Sequence, residues 1–373
     1  MKYYIIAGEA SGDLHASNLV AEIKKKDKKA EFRGFGGDLM KKEGVELVKH
    51  YRAMAFMGFV EVAVNLRKVL GNIAQCKKDI LEYRPDVVIL VDYPGFNLRI
   101  AEFAHEKGFK VLYYISPQVW AWKRGRVRKI KASVDKMLVI LPFEEEFYKR
   151  YGVDVTYVGN PLLDELAKFG MANRSVFLRQ NSLGEKREII ALLPGSRRQE
   201  VKRMLPIMLK VVPHFPDYQF VVAGVSSLEK SLYKGIMGKS DAFLVENQTY
   251  ELLQNSSAAL VTSGTATLET ALFTVPEVVC YKATGLSYRL AKWMIKVKFI
   301  SLVNLVMDKE VVKELIQKDL TDDHIVKGLD LLLHNGKRQR QLLEDYEELK
   351  DRLGNAGASE QAAEAVLTMV KAK

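Results

Sequence analysis

Five consecutive apolar residues, Val87-Val-Ile-Leu-Val91, four of them β-branched, run directly into Asp92-Tyr-Pro94-Gly95. A strand without a polar face is stable only where both faces of its sheet are covered, so this run predicts a central strand of a parallel α/β sheet. Pro94 lacks an amide hydrogen and Gly95 admits positive φ, so the chain leaves the sheet here, with Asp92 at the carboxyl end of the strand. Ligands of open α/β sheets bind along that edge. The residue pattern gives Asp92 two possible roles: a ligand-edge carboxylate, or the cap of the next turn.

The rest of the chain repeats the unit. Tyr3–Ala7 reads as a strand, and Gly8-Glu-Ala-Ser-Gly-Asp13 as a turn into a helix from about Leu14 to Lys26, a pattern that offers backbone amides to an anion. Its glycines do not have dinucleotide-fingerprint spacing, and a tight turn with Asp13 near an N-cap explains it equally well. Further strands are expected at Phe32–Gly37, Val111–Ile115, Lys136–Leu141 and from Val155. Asp164–Arg187 is polar and reads as a linker. The alternation restarts at Glu188–Leu193, Gln219–Val225, Ala242–Glu246, Ala258–Val261 and Glu277–Tyr281, and beyond Asp308 the residues look mainly helical, ending in an amphipathic stretch from Lys337 to Val370. The fold class is therefore α/β, with Rossmann-like domains at residues 1–165 and 188–340 followed by a helical segment at 341–373. A length of 373 residues suits two cores.

Net charge is +11, from 57 basic and 46 acidic residues, which points to an anionic partner such as a phosphorylated ligand, a membrane surface or nucleic acid. The two cysteines, Cys76 and Cys280, lack metal spacing and suit a reducing compartment. The chain opens on Met-Lys and a short strand rather than a signal peptide, and no apolar run approaches the ~18 residues of a spanning helix, so a soluble or peripheral protein is expected. Met54, Phe56, Met57 and Phe59, with Val60 and Val62, form an apolar segment that reads either as core or as a lipid-binding surface. Trp120 and Trp122 precede Lys123–Lys131, in which Lys123, Arg124, Arg126, Arg128, Lys129 and Lys131 are cationic. That pattern suits anionic headgroups, a solvated helix face, or base stacking with phosphate contact.

Two turns in the second half suit an anion: Leu193-Pro-Gly-Ser196-Arg197, and Thr262-Ser263-Gly264-Thr265, which opens a helix containing Glu269. Small residues let amides approach a diphosphate, the helix N-terminus adds partial positive charge, and Arg197 adds a charge-assisted hydrogen bond. Glu269, one turn further in, is placed to accept from ribose hydroxyls. Together the turns indicate a sugar-nucleotide or other nucleotide site. Gly238-Lys-Ser240 is no P-loop, because Tyr233 stands where the first glycine belongs. No Asp-x-Asp pair occurs and the six histidines have no metal spacing, so no metal and no cofactor are expected. His15 is expected at a surface helix position.

Taken in order, Gly8-Glu-Ala-Ser-Gly-Asp13, Met57-Gly58 with Val60-Glu61, Asp92-x-Pro94-x-Phe96-Asn97, Ser116-Pro-Gln-Val-Trp-Ala-Trp122, Leu141-Pro-Phe143, Leu193-Pro-Gly-Ser-Arg197, Ser263-Gly-Thr265 with Glu269, and Ser301-Leu-x-Asn304 resemble the lipid-A-disaccharide synthase family over nearly the whole chain. The resemblance implies a glycosyltransferase-B fold, two Rossmann-like domains facing a cleft, with the terminal helix packing back across them. It implies inverting transfer of 2,3-diacylglucosamine from its UDP derivative to 2,3-diacylglucosamine 1-phosphate, on the cytoplasmic face of the Gram-negative inner membrane. Asp92 and Arg197 would be catalytic. Glu9, Ser11, Ser196, Ser263, Gly264, Thr265, Glu269, Asn304, Glu314 and Gln317 would bind substrate. Met54, Phe56, Met57, Phe59, Trp120, Trp122, Lys123, Arg124, Arg126 and Arg128 would meet the membrane. Val303 stands where that family often has proline, and Gly95 where it is commonly acidic. A UDP-sugar epimerase or another glycosyltransferase of this fold, or a nucleic-acid-binding protein, are the alternatives.

Overall fold

The described strands of this chain pair with their neighbours in parallel, the apolar runs at the centre of each sheet. The structure is a computed structural model that describes residues 1–54, 66–120, 125–283 and 298–371. Strands β1 (Lys2–Ala7), β2 (Glu31–Gly36), β3 (Glu46–His50), β4 (Val87–Val91), β5 (Lys110–Tyr114), β6 (Lys136–Val139) and β7 (Val155–Tyr157) form a seven-stranded sheet in the order β3-β2-β1-β4-β5-β6-β7. Strands β8 (Glu188–Leu193), β9 (Tyr218–Gly224), β10 (Ala242–Glu246), β11 (Ser256–Thr262), β12 (Glu277–Tyr281) and β13 (Lys313–Ile316) form a six-stranded sheet in the order β10-β9-β8-β11-β12-β13. All five residues of β4 are buried, and its alternate side chains enter two separate cores, Val88 and Leu90 on one face and Val87, Ile89 and Val91 on the other. That two-faced burial is what the Val87–Val91 run requires.

The chain divides into one compact unit of Met1–Lys168 with Leu353–Lys373, and a second of Phe169–Arg352. The helix Pro161–Lys168 runs into the expected linker, and Arg174–Gln180 is a helix within it. The stretch from Lys337 is two helices, Gly336–Leu353 and Ala358–Lys371, separated near Gly354 and Gly357, whose φ values are +74° and +122°. Two strands escaped the sequence reading, β3 and β13. Both are sheet edges, where half-solvated faces leave polar residues such as Glu46, Lys49 and Lys313 inside the strand.

The first glycine turn is shorter than expected, because the helix starts at Ala10 rather than Leu14. Asp13 is buried on it and accepts hydrogen bonds from the amides of Gly37 (2.7 Å), Leu39 (3.1 Å) and Met40 (3.2 Å). It thus caps the helix Asp38–Lys42, a partner too distant in sequence for any local pattern to show. His15 is not the surface position expected of it. Its imidazole lies 3.8 Å from Glu165, and burial lowers its pKa to about 4 while it raises that of Glu165.

A second distant cap fastens the returning segment. Asp164 accepts from the amides of Gly357 (2.5 Å), Ala358 (3.0 Å) and Ser359 (2.9 Å), so a carboxylate from the last helix before the chain leaves the unit holds the first turn of the helix that re-enters it. Burial pushes this carboxyl up, but the Gly357, Ser359 and Ala358 donors outweigh it and leave the pKa below the ordinary range. The folded-state pKa is depressed, so the contribution to stability is present above the ordinary Asp pKa of about 4 and lost as pH falls through the native one. Asp164→Ala should cost about 2–4 kcal/mol and raise amide hydrogen exchange along Ala358–Lys371. Protection in that helix equal to wild type would contradict the capping role.

Candidate active site

Each sheet reverses its winding once, and Glu9, Asp92, Ser196, Arg197 and Ser263–Thr265 follow the strands at those two points. In the first sheet β1 and β4 are neighbours, with Ala7 paired to Val91, so Gly8-Glu9 and Asp92 leave the carboxyl edge side by side. In the second sheet β8 and β11 are neighbours, with Leu193 paired to Val261, so Pro194–Arg197 and Thr262–Thr265 do the same. Both are topological switch points, where the connecting loops diverge and leave a crevice.

Asp92 is held in a strained conformation. Asp92 and Tyr93 both have positive φ, +45° and +48°, which costs non-glycine residues on the order of 1–3 kcal/mol each. The cost is offset by contacts that fix the turn. The Asp92 carbonyl accepts from the Tyr113 hydroxyl (2.6 Å) and the Asn97 side-chain amide (2.7 Å), and its amide donates to the Tyr114 carbonyl (3.0 Å). The Tyr93 hydroxyl donates to the Met54 carbonyl at 3.2 Å, and its ring fills the space above Gly8, where a Cβ would lie 2.2 Å from Cδ1. The N-cap residue of the helix Pro94–Glu106 is Tyr93, whose side chain makes no capping hydrogen bond. Burial first, and then the neighbouring Glu9 carboxylate, push the Asp92 carboxyl up to about 6, although the Tyr93 amide opposes them. A carboxylate with that affinity is a stronger base than a solvated one and is still ionised at neutral pH. Glu9 is half-buried and Ser11 is exposed in the first turn of its helix.

In the second unit Gly195 has φ +105°, and a Cβ there would come within 2.6 Å of the Glu200 carboxylate. Only glycine lets Pro194-Gly-Ser fold tightly onto the helix Arg198–Leu209. Ser196 and Arg197 are exposed at the turn, and the Arg197 guanidinium reaches back to Glu200 at 3.3 Å. Gly264 and Thr265 are exposed where the helix Thr265–Leu272 begins, and Glu269 is half-buried one turn on. The Ser263 hydroxyl donates to the Ile300 carbonyl at 2.9 Å, so its first role is to hold the loop.

Asn304 and Glu314, expected to bind substrate, make bracing hydrogen bonds inside the second unit. Fully buried Asn304 accepts from the amides of Val311 (2.8 Å) and Val312 (2.9 Å) and donates to the Val312 carbonyl and Glu314 (both 2.9 Å). Glu314 accepts in addition from the amides of Ile300 and Ser301. The pair therefore fixes the Ile300–Ser301 turn that Ser263 leans on. Gln317 follows β13 in positive φ and reaches the Ala283 carbonyl at 3.5 Å.

Two of the residues expected to meet the membrane are buried. Met54 is buried in the first unit's core, and Trp120 is buried with its indole N–H donated to Glu144 at 3.1 Å. The apolar signal they gave was that of core, which shares its composition with a lipid-facing patch. Phe56, Met57, Phe59, Trp122, Lys123 and Arg124 lie outside the described residues. Arg126 is half-buried, and Arg128 is exposed beside Lys129 and Lys131 on the helix Arg126–Ser133. Among the described residues no helix is long and apolar enough to cross a membrane, and no three His, Cys, Asp or Glu side chains are grouped to hold a metal ion.

The sequence reading missed Tyr93 and Tyr113, which shape the Asp92 turn. A buried tyrosine needs an acceptor for its hydroxyl, and Tyr113 in the strand Lys110–Tyr114 carried that signal.

Comparison with known proteins agrees with this arrangement. The family model described as lipid-A-disaccharide synthetase matches residues 3–368. A lipid-A-disaccharide synthase of Syntrophus aciditrophicus is 43% identical over 98% of this chain and 97% of its own length. Among solved structures, the UDP-GlcNAc 2-epimerase of Neisseria meningitidis bound to UDP-GlcNAc has a TM-score of 0.72 at 13% identity, covering 99% of this chain and 100% of that one. The kitacinnamycin glycosyltransferase has a TM-score of 0.65 at 14% identity, covering 98% of both chains. At those identities the two structures speak for the fold alone.

Proposed function

Because the chain belongs to the lipid-A-disaccharide synthase family, we propose that it transfers 2,3-diacylglucosamine from its UDP derivative to 2,3-diacylglucosamine 1-phosphate, with inversion at the anomeric carbon. It is a glycosyltransferase of lipid A synthesis, and the epimerase and nucleic-acid alternatives are not favoured. The observation that carries the finer reading is the difference between the two switch points. One holds a half-buried carboxyl of raised pKa, and the other an arginine with the start of a helix.

In this reading Asp92 takes the proton of the acceptor hydroxyl as that oxygen attacks the anomeric carbon and UDP departs from the opposite face. Arg197 and the amides at Gly264 and Thr265 bear the charge that develops on the diphosphate. Glu269 binds the ribose, and Glu9, Ser11, Ser196 and Gln317 complete the substrate contacts. No metal or cofactor takes part. UDP release and β-linked disaccharide formation from the two acylated substrates test the reading, with and without a chelator. Absence of the disaccharide overturns the function, and strong inhibition by the chelator overturns the metal-free part.

Both substrates carry acyl chains, so the site of action is proposed to be the cytoplasmic face of the inner membrane. Arg126 and Arg128, with Lys123 and Arg124, meet the anionic headgroups. Each cation near such a surface is worth on the order of 1 kcal/mol. Replacing the four with glutamine should weaken sedimentation with anionic vesicles by at least tenfold and reduce its salt dependence. Unchanged binding would remove the basic segment from the docking surface.

A further inference from the structure

We propose that Glu144 is a positioning residue for the transfer reaction, fixing the segment Ile115–Trp120 beside the backbone that carries Asp92. The inference rests on the function given above. Glu144 opens the short helix Phe143–Lys149 and is 1% exposed. Its Oε2 accepts from the amides of Leu141 (3.1 Å) and Ile140 (3.3 Å), while its Oε1 accepts from the Trp120 indole at 3.1 Å. One carboxylate therefore binds the end of β6 to the loop that follows β5. The same helix adds two further contacts. The Tyr148 and Ser116 hydroxyls are 2.7 Å apart, and the Phe143 ring meets the Trp120 indole edge-on at 5.0 Å.

The segment needs such fastening. Ile115 has φ +65°, a conformation that a β-branched side chain adopts only under constraint, at a cost on the order of 1–3 kcal/mol. The two residues before it hold Asp92, Tyr113 through its hydroxyl and Tyr114 through its carbonyl. Three strained residues, Asp92, Tyr93 and Ile115, thus sit at the carboxyl ends of two adjacent strands, and the far side of the arrangement is tied down by Glu144. Loosening that tie lets Ile115 relax and shifts the Tyr113–Tyr114 end. Displacement of a reacting group by about 1 Å costs on the order of 100-fold in rate.

The test compares Glu144→Gln, Trp120→Phe and the double variant in the disaccharide assay at saturating donor, with thermal melting alongside. Glutamine cannot accept from both the indole and the two amides, and phenylalanine keeps a ring but lacks the indole N–H. Each single variant should lower kcat by about 10- to 100-fold with KM for the UDP-sugar within about twofold of wild type, and the double should be no worse than the poorer single. Wild-type kcat in both singles, or losses that multiply in the double, would overturn the proposal. So would a KM for the donor that rises in step with falling melting temperature, the mark of a purely structural role. If Glu144→Gln does not fold, Trp120→Phe decides by the same kcat and KM criteria. A wild-type protein that forms no disaccharide defeats the functional reading; an active wild type with unaffected variants defeats only the role of Glu144.

Discussion

Asp92→Asn should lower kcat by two to four orders of magnitude while leaving UDP binding within about twofold of wild type and the melting temperature at neutral pH unchanged or raised. The loss is the removal of a general base, typically worth 10²–10⁴-fold. The gain in stability follows from the sign of the pKa shift. The native carboxyl titrates near 6, above its ordinary value, because burial and Glu9 disfavour its charge. Native protein therefore holds the proton more tightly than unfolded chain, the contribution to stability is complete below the ordinary Asp pKa of about 4, and it is lost as pH rises through 6. Above that pH the ionised group opposes folding, and the neutral amide does not. Asparagine also tolerates the φ of +45° better than most residues, so the turn survives. In wild-type enzyme kcat/KM should rise with pH through about 6 and then level on that limb. A variant with normal turnover, or a profile with no limb near 6, would end the assignment of Asp92 as base.

Arg197→Ala should lower kcat by about 10²- to 10³-fold, the usual cost of removing one preorganised group that stabilises developing charge. UDP should also compete less well as an inhibitor, because its diphosphate loses the same partner. The structure explains why the fold should tolerate the change: the side chain is 60% exposed and its ion pair with Glu200 is an exposed contact within one helical turn, a class of pair worth little to stability. Arg197→Lys should recover only part of the activity, since an ammonium cannot make the paired hydrogen bonds of a guanidinium. Unaltered kinetics and UDP inhibition in Arg197→Ala would remove this residue from the site.

Strand positions were legible wherever both faces are buried. Val87–Val91, Glu188–Leu193 and Glu277–Tyr281 are read off the sequence with the ends the structure gives them. Composition marks such strands, because a side chain on either face must be apolar. The edge strands β3 and β13 and the helix Pro161–Lys168 were not legible, since one solvated face admits the polar residues that also mark loops. The turns holding Asp92 and Arg197 announced themselves through proline and glycine, whose backbone restrictions are local.

The sequence by itself thus determined that the chain is a tandem of parallel α/β units, which residues end their key strands, and which family it resembles. Tertiary structure alone decided what those residues can do. It set Asp92 beside Glu9 in a half-buried, strained turn. It spent Asn304 and Glu314 on bracing a loop, moved Met54 and Trp120 into the core, and made Asp164 and Asp13 the caps of helices far along the chain. A carboxylate's pKa and a polar group's freedom to bind depend on what lies within a few ångströms, and neighbours at that distance are chosen by the fold.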